Sequence, residues 1–388
     1  MTNTEKFFVE CVRRGINNES IENIPNDLDY KKLYKLCISH SMSVVVFSAL
    51  EKIKDRLMPE FLSALQHLVQ RYVMLDIQSE YDKEKFLSAM EERGLKHMPL
   101  KGYHLKMLYP STEMRFASDC DVLIDVAQLK EVRALVKELG LQTKSRDTHH
   151  DIVYYSETKT ILELHKCLFV GELEKYFGVG FERARLKEGK KSFYELSPED
   201  FYATMLGHSA YHFADGAGVG IRHLTDIYLY KKTYKLDYGY LDIELKKCGL
   251  LKFKNEFEKL ANYFFGDAIV DEDTKYLAKH ILESSLFTNE EKKVASQVAT
   301  NIDEKNDSRA RSKTFWKKIF PSRELMQFSY PILKKAIWLL PLFYPIRWFC
   351  VLFTRPKNIK QLNKYANVTE SQLNEMKEIR EMLGIEHI

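Results

Sequence analysis

The chain has 388 residues, with a net charge of +4 at neutral pH, 45% hydrophobic residues and 29% charged residues. This length allows a large core and predicts two or three domains, and the composition is typical of a globular protein. The six cysteines are scattered, without a CxxC pair or a cysteine–histidine spacing suited to zinc, which excludes a zinc module and favours reduced thiols.

The N-terminal sequence MTNTEKFFVECVRRG lacks the uninterrupted apolar core of a signal peptide. We therefore expect a cytoplasmic protein. The charge is unevenly distributed, because residues 309–360 hold twelve Lys or Arg residues and one acid, so that this segment carries about +11 and the remainder about −7. Such a split indicates an anionic partner for the C-terminal part, either the inner face of a membrane or a polyanion.

Residues 1–94 are predicted to form a helical N-terminal subdomain. Apolar residues recur at helical spacing in 27–37 and 41–50. Pro59 is well placed at the start of a long helix that runs to about residue 93, where Gly94 can end it. No pattern in this part indicates chemistry, so we expect a subdomain that serves packing or acts as a lid.

Residues 95–195 alternate strands with helices and predict an α/β core on a small mixed sheet, which makes the fold class α+β. An amphipathic helix is expected at 128–140, where a glycine ends the periodic pattern. The other expected elements are a helix at 103–108 and strands at 95–100, 116–124, 150–156 and 160–165.

Residues 196–300 return to a helical pattern and predict a helical C-terminal subdomain. Positions 197–200 combine a capping serine, a proline at the first helical position and two acids in the first turn, so a helix should run through 201–213. A second helix is expected at 221–232, and the polar stretch 301–312 is expected to be a linker.

Residues 313–388 form a basic, apolar extension that contains the most apolar run of the chain, 336–353. This run approaches transmembrane length, but two prolines and Arg347 interrupt it. Two interpretations stay open: an interfacial segment that would make 313–356 a peripheral membrane contact, and a buried helical hairpin. A capped helix is expected at 369–383.

Asp119 and Asp121 are two residues apart on a predicted strand and therefore point to the same face. Carboxylates this close repel each other unless a cation lies between them, and oxygen ligands favour Mg²⁺ or Mn²⁺. Glu163 lies in an otherwise apolar strand and shares its face with His165. If the two strands are neighbours, three carboxylates converge as two-metal phosphoryl transfer requires, and the acid not dominated by metal can accept a proton. The simpler alternatives are solvated strand-end acids and an ion pair between Glu163 and Arg115.

Three further patterns each allow a structural and a functional interpretation. The sequence His-His-Asp at 149–151 is typical of a surface turn but also occurs in metal hydrolases. His208 and His212 share one helix face, which suits either packing or a zinc ion. Arg222 and Asp226 have the spacing of an ion pair on one helix, and they can equally line a cleft.

One stretch of the chain, with a short motif about forty residues further on, resembles a known enzyme family. The elements that carry this resemblance are Lys101-Gly102, Tyr109-Pro110, Arg115, Asp119-Cys120-Asp121 and Glu163-Leu164-His165. They resemble the polymerase-beta-type nucleotidyltransferase superfamily, and more closely its group of uncharacterised bacterial nucleotidyltransferases. The resemblance covers most of the chain. It implies a metal-dependent transfer of a nucleoside monophosphate from an NTP such as ATP to an unknown acceptor, which would be a small molecule, a glycan or a protein.

The resemblance also implies roles for individual residues. It assigns metal binding and catalysis to Asp119, Asp121 and Glu163, with Mg²⁺ or Mn²⁺ as the ion. It assigns nucleotide binding to a second set of residues: Lys101, Gly102, Arg115, Ser118 and His165. The turn at 101–103 departs from the Gly-Gly or Gly-Ser phosphate turn usual in the superfamily. This keeps open an alternative, a non-catalytic binding module of the same fold docked to a membrane or to lipid-linked glycan machinery. No motif for reading a nucleic-acid sequence is present.

Overall fold

The computed structural model describes residues 1–117, 119–147, 149–215 and 219–284, and beyond them 294–296, 298, 314, 316–317, 319–323, 326–327, 330–354, 368–386 and 388. The chain divides into two compact units. Unit 1 comprises Met1–Ala210 and Val219–Phe287, and unit 2 comprises Tyr211–Gly218 and Thr288–Ile388. The sequence-based division into four parts stays a prediction, and the expected linker lies outside the described residues.

The N-terminal part of unit 1 is helical, as expected. Its helices are α1 (Asn3–Ile16), α2 (Tyr30–Ser39), α3 (Ser43–Glu51) and α4 (Pro59–Glu92). The Asp29 carboxylate accepts the backbone N–H of Lys32 and so caps α2. The long helix α4 begins at the predicted proline, and Gly94 follows its end with a φ of +63°, a conformation that glycine adopts without strain.

A five-stranded mixed sheet lies in unit 1 and confirms the α+β class. Its strands are β1 (His97–Pro99), β2 (Asp119–Ile124), β3 (Gln142–Arg146), β4 (His150–Tyr154) and β5 (Ile161–His165). The spatial order is β1-β2-β5-β4-β3, in which β2 and β5 are parallel and the other neighbours are antiparallel. Strand β3 was not predicted, because all of its residues are exposed and it lacks an alternating pattern.

One face of the sheet is buried, and this decides where the polar residues of β2 and β5 point. Helix α5 (Gly102–Leu105) follows β1, and α6 (Leu129–Glu138) packs with α4 in the core under the sheet. Every second residue of the two strands lies in this core: Cys120, Val122, Ile124, Leu162 and Leu164. Because side chains alternate along a strand, Asp119, Asp121, Glu163 and His165 lie on the opposite face.

Further helices follow the sheet, and apart from residues 211–215 they lie in unit 1. They are α7 (Glu172–Phe177), α8 (Pro198–Asp215), α9 (Ile221–Thr233), α10 (Tyr238–Lys247), α11 (Leu251–Phe265) and α12 (Glu272–Ser284), with a short hairpin of β6 (Arg185–Leu186) and β7 (Tyr194–Glu195) before α8. The Ser197 hydroxyl accepts the backbone N–H of Asp200 at 3.1 Å, which confirms the predicted start of α8.

Unit 2 contains two well-defined helices among its described residues, α13 (Leu340–Thr354) and α14 (Glu370–Leu383). Thr369 and Gln372 form a capping box at the start of α14, as the sequence predicted. Short 3₁₀ turns at Pro331–Lys334 and Ile337–Leu339 precede α13. No helix in the described part of the chain is both long and apolar enough to cross a membrane.

Candidate functional site

The parallel pairing of β2 with β5 brings the predicted acidic residues together. In this register Asp121 lies directly opposite Glu163, and Asp119 lies opposite Ile161. Ligand atoms of Asp121, Glu163 and His165 all lie within 4.8 Å of one another. The Nε2 atom of His165 is 2.8 Å from Oδ1 of Asp121 and 3.7 Å from Oε2 of Glu163. We call Asp121, Glu163 and His165 the acidic cluster.

The donor set of the acidic cluster fits a divalent ion. The two carboxylates suit Mg²⁺ or Mn²⁺, whereas an imidazole is a more common ligand of other transition metals. All three side chains keep some access to solvent. Asp119 does not belong to this group, although its charge interacts with those of Asp121 and Glu163. The sequence anticipated three carboxylates as ligands, whereas the atoms that lie closest together are two carboxylates and the histidine.

Neighbouring charges shift the pKa values in this cluster in opposite directions. Burial raises the pKa of Asp119, and the charges of Asp121 and Glu163 raise it further. Burial would also raise the pKa of Asp121, but Lys101 and His165 outweigh burial and hold it well below its ordinary value. The nearby imidazole of His165 lowers the pKa of Glu163. Burial would lower the pKa of His165, but its contacts to both carboxylates raise it. Asp121 and Glu163 are therefore anionic, as metal binding requires.

Lys101 lies at the turn between β1 and α5 and faces the acidic cluster. Its ammonium donates to Oδ1 of Asp121 at 3.0 Å, and the backbone N–H of Leu100 donates to the Asp121 carbonyl at 2.9 Å. The backbone of Lys101 has a φ of +43°, a conformation that costs a non-glycine residue about 1–3 kcal/mol. The turn thus holds a cation against the carboxylate at which a divalent ion would bind, and the two must compete for it.

Arg115, predicted to contact phosphate, forms a buried ion pair with Asp226 of α9. Its Nε and Nη2 donate to the two carboxylate oxygens at 2.7 and 2.8 Å, and the Tyr109 hydroxyl donates to Oδ1 at 2.8 Å. The partner of Arg115 is therefore Asp226 and not Glu163. The remaining nitrogen, Nη1, would lie only 2.9 Å from a Cβ atom at position 102, so Gly102 allows the turn to approach this arginine.

The other candidates have different surroundings. His149 lies in an exposed bend, as a surface turn predicts, whereas His150 and Asp151 lie in β4. The buried Asp151 carboxylate accepts bonds from Arg133 and Lys166. Arg222 does not pair with Asp226, because Arg115 occupies that carboxylate. His208 and His212 lie on α8 and belong to no cluster of metal-ligand residues among those described. Ser118 lies outside the described residues.

Comparison with known proteins relates the chain to a protein family. A protein-family model described as an uncharacterised nucleotidyltransferase matches residues 26–266, a range that includes the whole sheet, the acidic cluster and α9. No curated protein and no solved structure matches the chain.

Proposed function

The chain belongs to the uncharacterised nucleotidyltransferase family, and on this premise we propose that it transfers a nucleoside monophosphate from an NTP to an acceptor with the help of a divalent metal. The observation that carries the proposal is the convergence of Asp121, Glu163 and His165 across the parallel pair of strands. A phosphoryl-transfer site needs carboxylates at this spacing, and a family with this reaction supplies the substrate class.

Each residue of the site has a distinct role in the proposed reaction. Asp121 and Glu163 hold Mg²⁺ or Mn²⁺, and His165 orients both carboxylates. The bound ion supplies positive charge to the phosphate oxygens. Lys101 leaves Asp121 for the triphosphate, and Gly102 lets the backbone approach it. Arg115 contributes indirectly, since its ion pair fixes the segment that leads into β2.

Asp119 is the carboxylate best suited to accept a proton. It lies on the same face of β2 but outside the group of closest ligand atoms, and its surroundings raise its pKa, which makes it a stronger base. In the proposed step, the acceptor oxygen forms a bond to the α-phosphorus. The bond from that phosphorus to the β-phosphate oxygen breaks, pyrophosphate leaves, and the proton of the acceptor hydroxyl passes to Asp119.

Titration of the full chain with NTPs and metal tests this function. We expect ATP, or another of the four common NTPs, to bind only when Mg²⁺ or Mn²⁺ is present, because the acidic cluster repels a triphosphate without an intervening cation. Equilibrium dialysis with labelled NTPs, with EDTA as the control, measures this dependence. Binding that is equally strong in EDTA would instead favour the alternative, a non-catalytic module in which Lys101 holds the metal position permanently.

Unit 2 carries an apolar surface that favours a second proposal, a peripheral membrane contact. Trp338, Leu342, Ile346 and Phe349 are 75, 62, 46 and 63% exposed, and their spacing aligns them on one side of α13 and the turn before it. We call these four residues the apolar face. A row of large apolar side chains with this much exposure is typical of a surface that binds a partner or a membrane.

The opposite side of α13 is packed within unit 2. The Tyr344 hydroxyl donates to the Pro321 carbonyl at 3.0 Å, and the Trp348 indole N–H donates to the Ile319 carbonyl at 2.8 Å. These two contacts lie on the side of α13 opposite the apolar face. Exposed Lys334 and the other basic residues of 309–360 suit anionic lipid headgroups, each contributing about 1 kcal/mol near such a surface. An acceptor reached there would be lipid-borne, such as a lipid-linked glycan precursor.

Liposome flotation tests the membrane contact. We expect Trp338→Asp/Phe349→Asp to bind anionic vesicles at least about tenfold more weakly than wild type, because burial of each large apolar side chain contributes about 1.5–3 kcal/mol. Met74→Asp/Ile77→Asp is the matched control, since these residues of α4 are 68 and 56% exposed and lie outside the apolar face. Wild type that stays with the soluble fraction at low salt, or equal flotation of both variants, would contradict the proposal.

A further inference from the structure

Two arginines of the site, Arg115 and Arg222, differ in how their charges are balanced. Arg115 shares Asp226 with the Tyr109 hydroxyl, so every oxygen of that carboxylate is occupied. Arg222, at the start of α9, donates only its Nη1, to the backbone carbonyl of Phe116 at 3.1 Å. Within the described part of the chain, no carboxylate oxygen lies within 4.0 Å of the Arg222 guanidinium.

The guanidinium of Arg222 is also partly removed from water. Its Nε atom is inaccessible to solvent and has no hydrogen-bond partner among the described residues. Burial, and after it the charge of Arg115, lowers the pKa of Arg222, although the charges of Asp226 and Asp119 act in the opposite direction. A buried cation with no anion in direct contact is costly, and the cost falls when an anion binds it. Arg222 therefore has the charge and, in Nη2, a donor with no acceptor among the described residues, to hold a ligand anion.

Arg222 is held close to the acidic residues of β2. The carbonyl that accepts its hydrogen bond belongs to Phe116, whose ring stacks on Tyr72 of α4 at 5.1 Å with an interplanar angle of 8°. Phe116 precedes Asp119 by three residues in the chain. The charge of Arg222 also acts directly on Asp119, where it opposes the effect of burial on the pKa. The guanidinium thus lies at the Asp119 end of the site.

We propose that Arg222 binds the two phosphates of the NTP that are not transferred and that leave as pyrophosphate. This inference rests on the proposed function. The fork of a guanidinium matches two oxygens of one phosphate, and Lys101 and Arg115 already contact carboxylates of the protein. Of these three cations, Arg222 alone has no carboxylate partner among the described residues, so it can bind the leaving phosphates without breaking an ion pair.

Equilibrium binding to Arg222→Gln and Arg222→Lys tests this role. The probes are inorganic pyrophosphate, the α,β-methylene analogue of ATP, and AMP, each titrated in Mg²⁺ by calorimetry. We expect Arg222→Gln to weaken pyrophosphate and the ATP analogue by roughly 10–100-fold, the range for loss of a charged hydrogen bond, and AMP by less than about threefold. Arg222→Lys should fall between, because lysine keeps the charge but not the fork.

Arg133→Gln is the matched control, since Arg133 is a partly exposed arginine near the same sheet whose carboxylate partner, Asp151, lies in β4. It should bind all three probes as wild type does. A thermal melt checks folding. Arg222→Gln should not lower the melting temperature, because Arg222 has no carboxylate partner among the described residues that the substitution would leave unpaired. If Arg222→Gln does unfold, Arg222→Lys decides the question.

The possible outcomes separate this inference from the proposed function. The role of Arg222 is refuted if both Arg222 variants bind pyrophosphate and the ATP analogue as wild type does. It is also refuted if AMP binding weakens as much as binding of the other two probes. In either case, metal-dependent binding by wild type still upholds the function. If pyrophosphate binds and needs Arg222 but no nucleotide binds, the phosphate site stands and the nucleotidyltransferase proposal falls. If wild type binds none of the probes, both are refuted.

Discussion

Asp121→Asn is expected to abolish metal-dependent nucleotide binding and transfer. Asp121 is the centre of the acidic cluster, because it faces Glu163 across the parallel pair and contacts both Lys101 and His165. Asparagine has nearly the same shape but no charge, so the attraction for a divalent ion is lost. Changes to residues around a metal ligand cost about 10–100-fold in affinity, and loss of the ligand itself should exceed roughly 100-fold.

Two measurements separate the metal from the nucleotide. Titration with Mn²⁺, followed by electron paramagnetic resonance, reports binding of the ion alone, and release of pyrophosphate reports transfer. The control is Asp125→Asn, the same chemical change just beyond the end of β2, where the carboxylate accepts the backbone N–H of Ala127. It should leave both readouts unchanged. If Asp121→Asn bound Mn²⁺ and NTP like the control, the acidic cluster would not be the metal site.

The location of the acidic cluster could be predicted because alternation is a local property of the sequence. Apolar residues at every second position of β2 and β5 fix which face is buried, so Asp121, Glu163 and His165 had to share the other face once the strands were neighbours. Helix starts at Pro59 and Ser197 were predictable for the same reason, since capping depends on residues within one turn.

The charge partners could not be predicted, because they depend on contacts between distant parts of the chain. Arg115 and Asp226 are 111 positions apart, and only the packing of α9 against the segment before β2 brings them together. The helix spacing of Arg222 and Asp226 indicated an ion pair, but a better bidentate partner occupies that carboxylate. The positive φ of Lys101 is likewise imposed by the surrounding turn, since a lysine has no local preference for it.

Asp226→Asn is expected to destabilise the protein by about 3–5 kcal/mol, because it leaves the buried guanidinium of Arg115 without a counter-charge. Both side chains of this pair are less than 10% exposed, so water cannot replace the lost carboxylate. The hydrogen bond from the Tyr109 hydroxyl is weakened as well. Urea denaturation, followed by circular dichroism, gives the free energy of unfolding of each variant.

Two further variants identify the cause of this loss. Glu195→Gln removes a carboxylate from a surface ion pair with Arg185, whose side chain is 70% exposed, and should cost less than about 1 kcal/mol. Arg115→Met/Asp226→Leu removes both buried charges and should regain much of the stability lost in Asp226→Asn, since apolar residues of similar size often replace a buried pair at little cost. A double variant as unstable as Asp226→Asn would show that the packing around α9, and not the unpaired charge of Arg115, determines stability here.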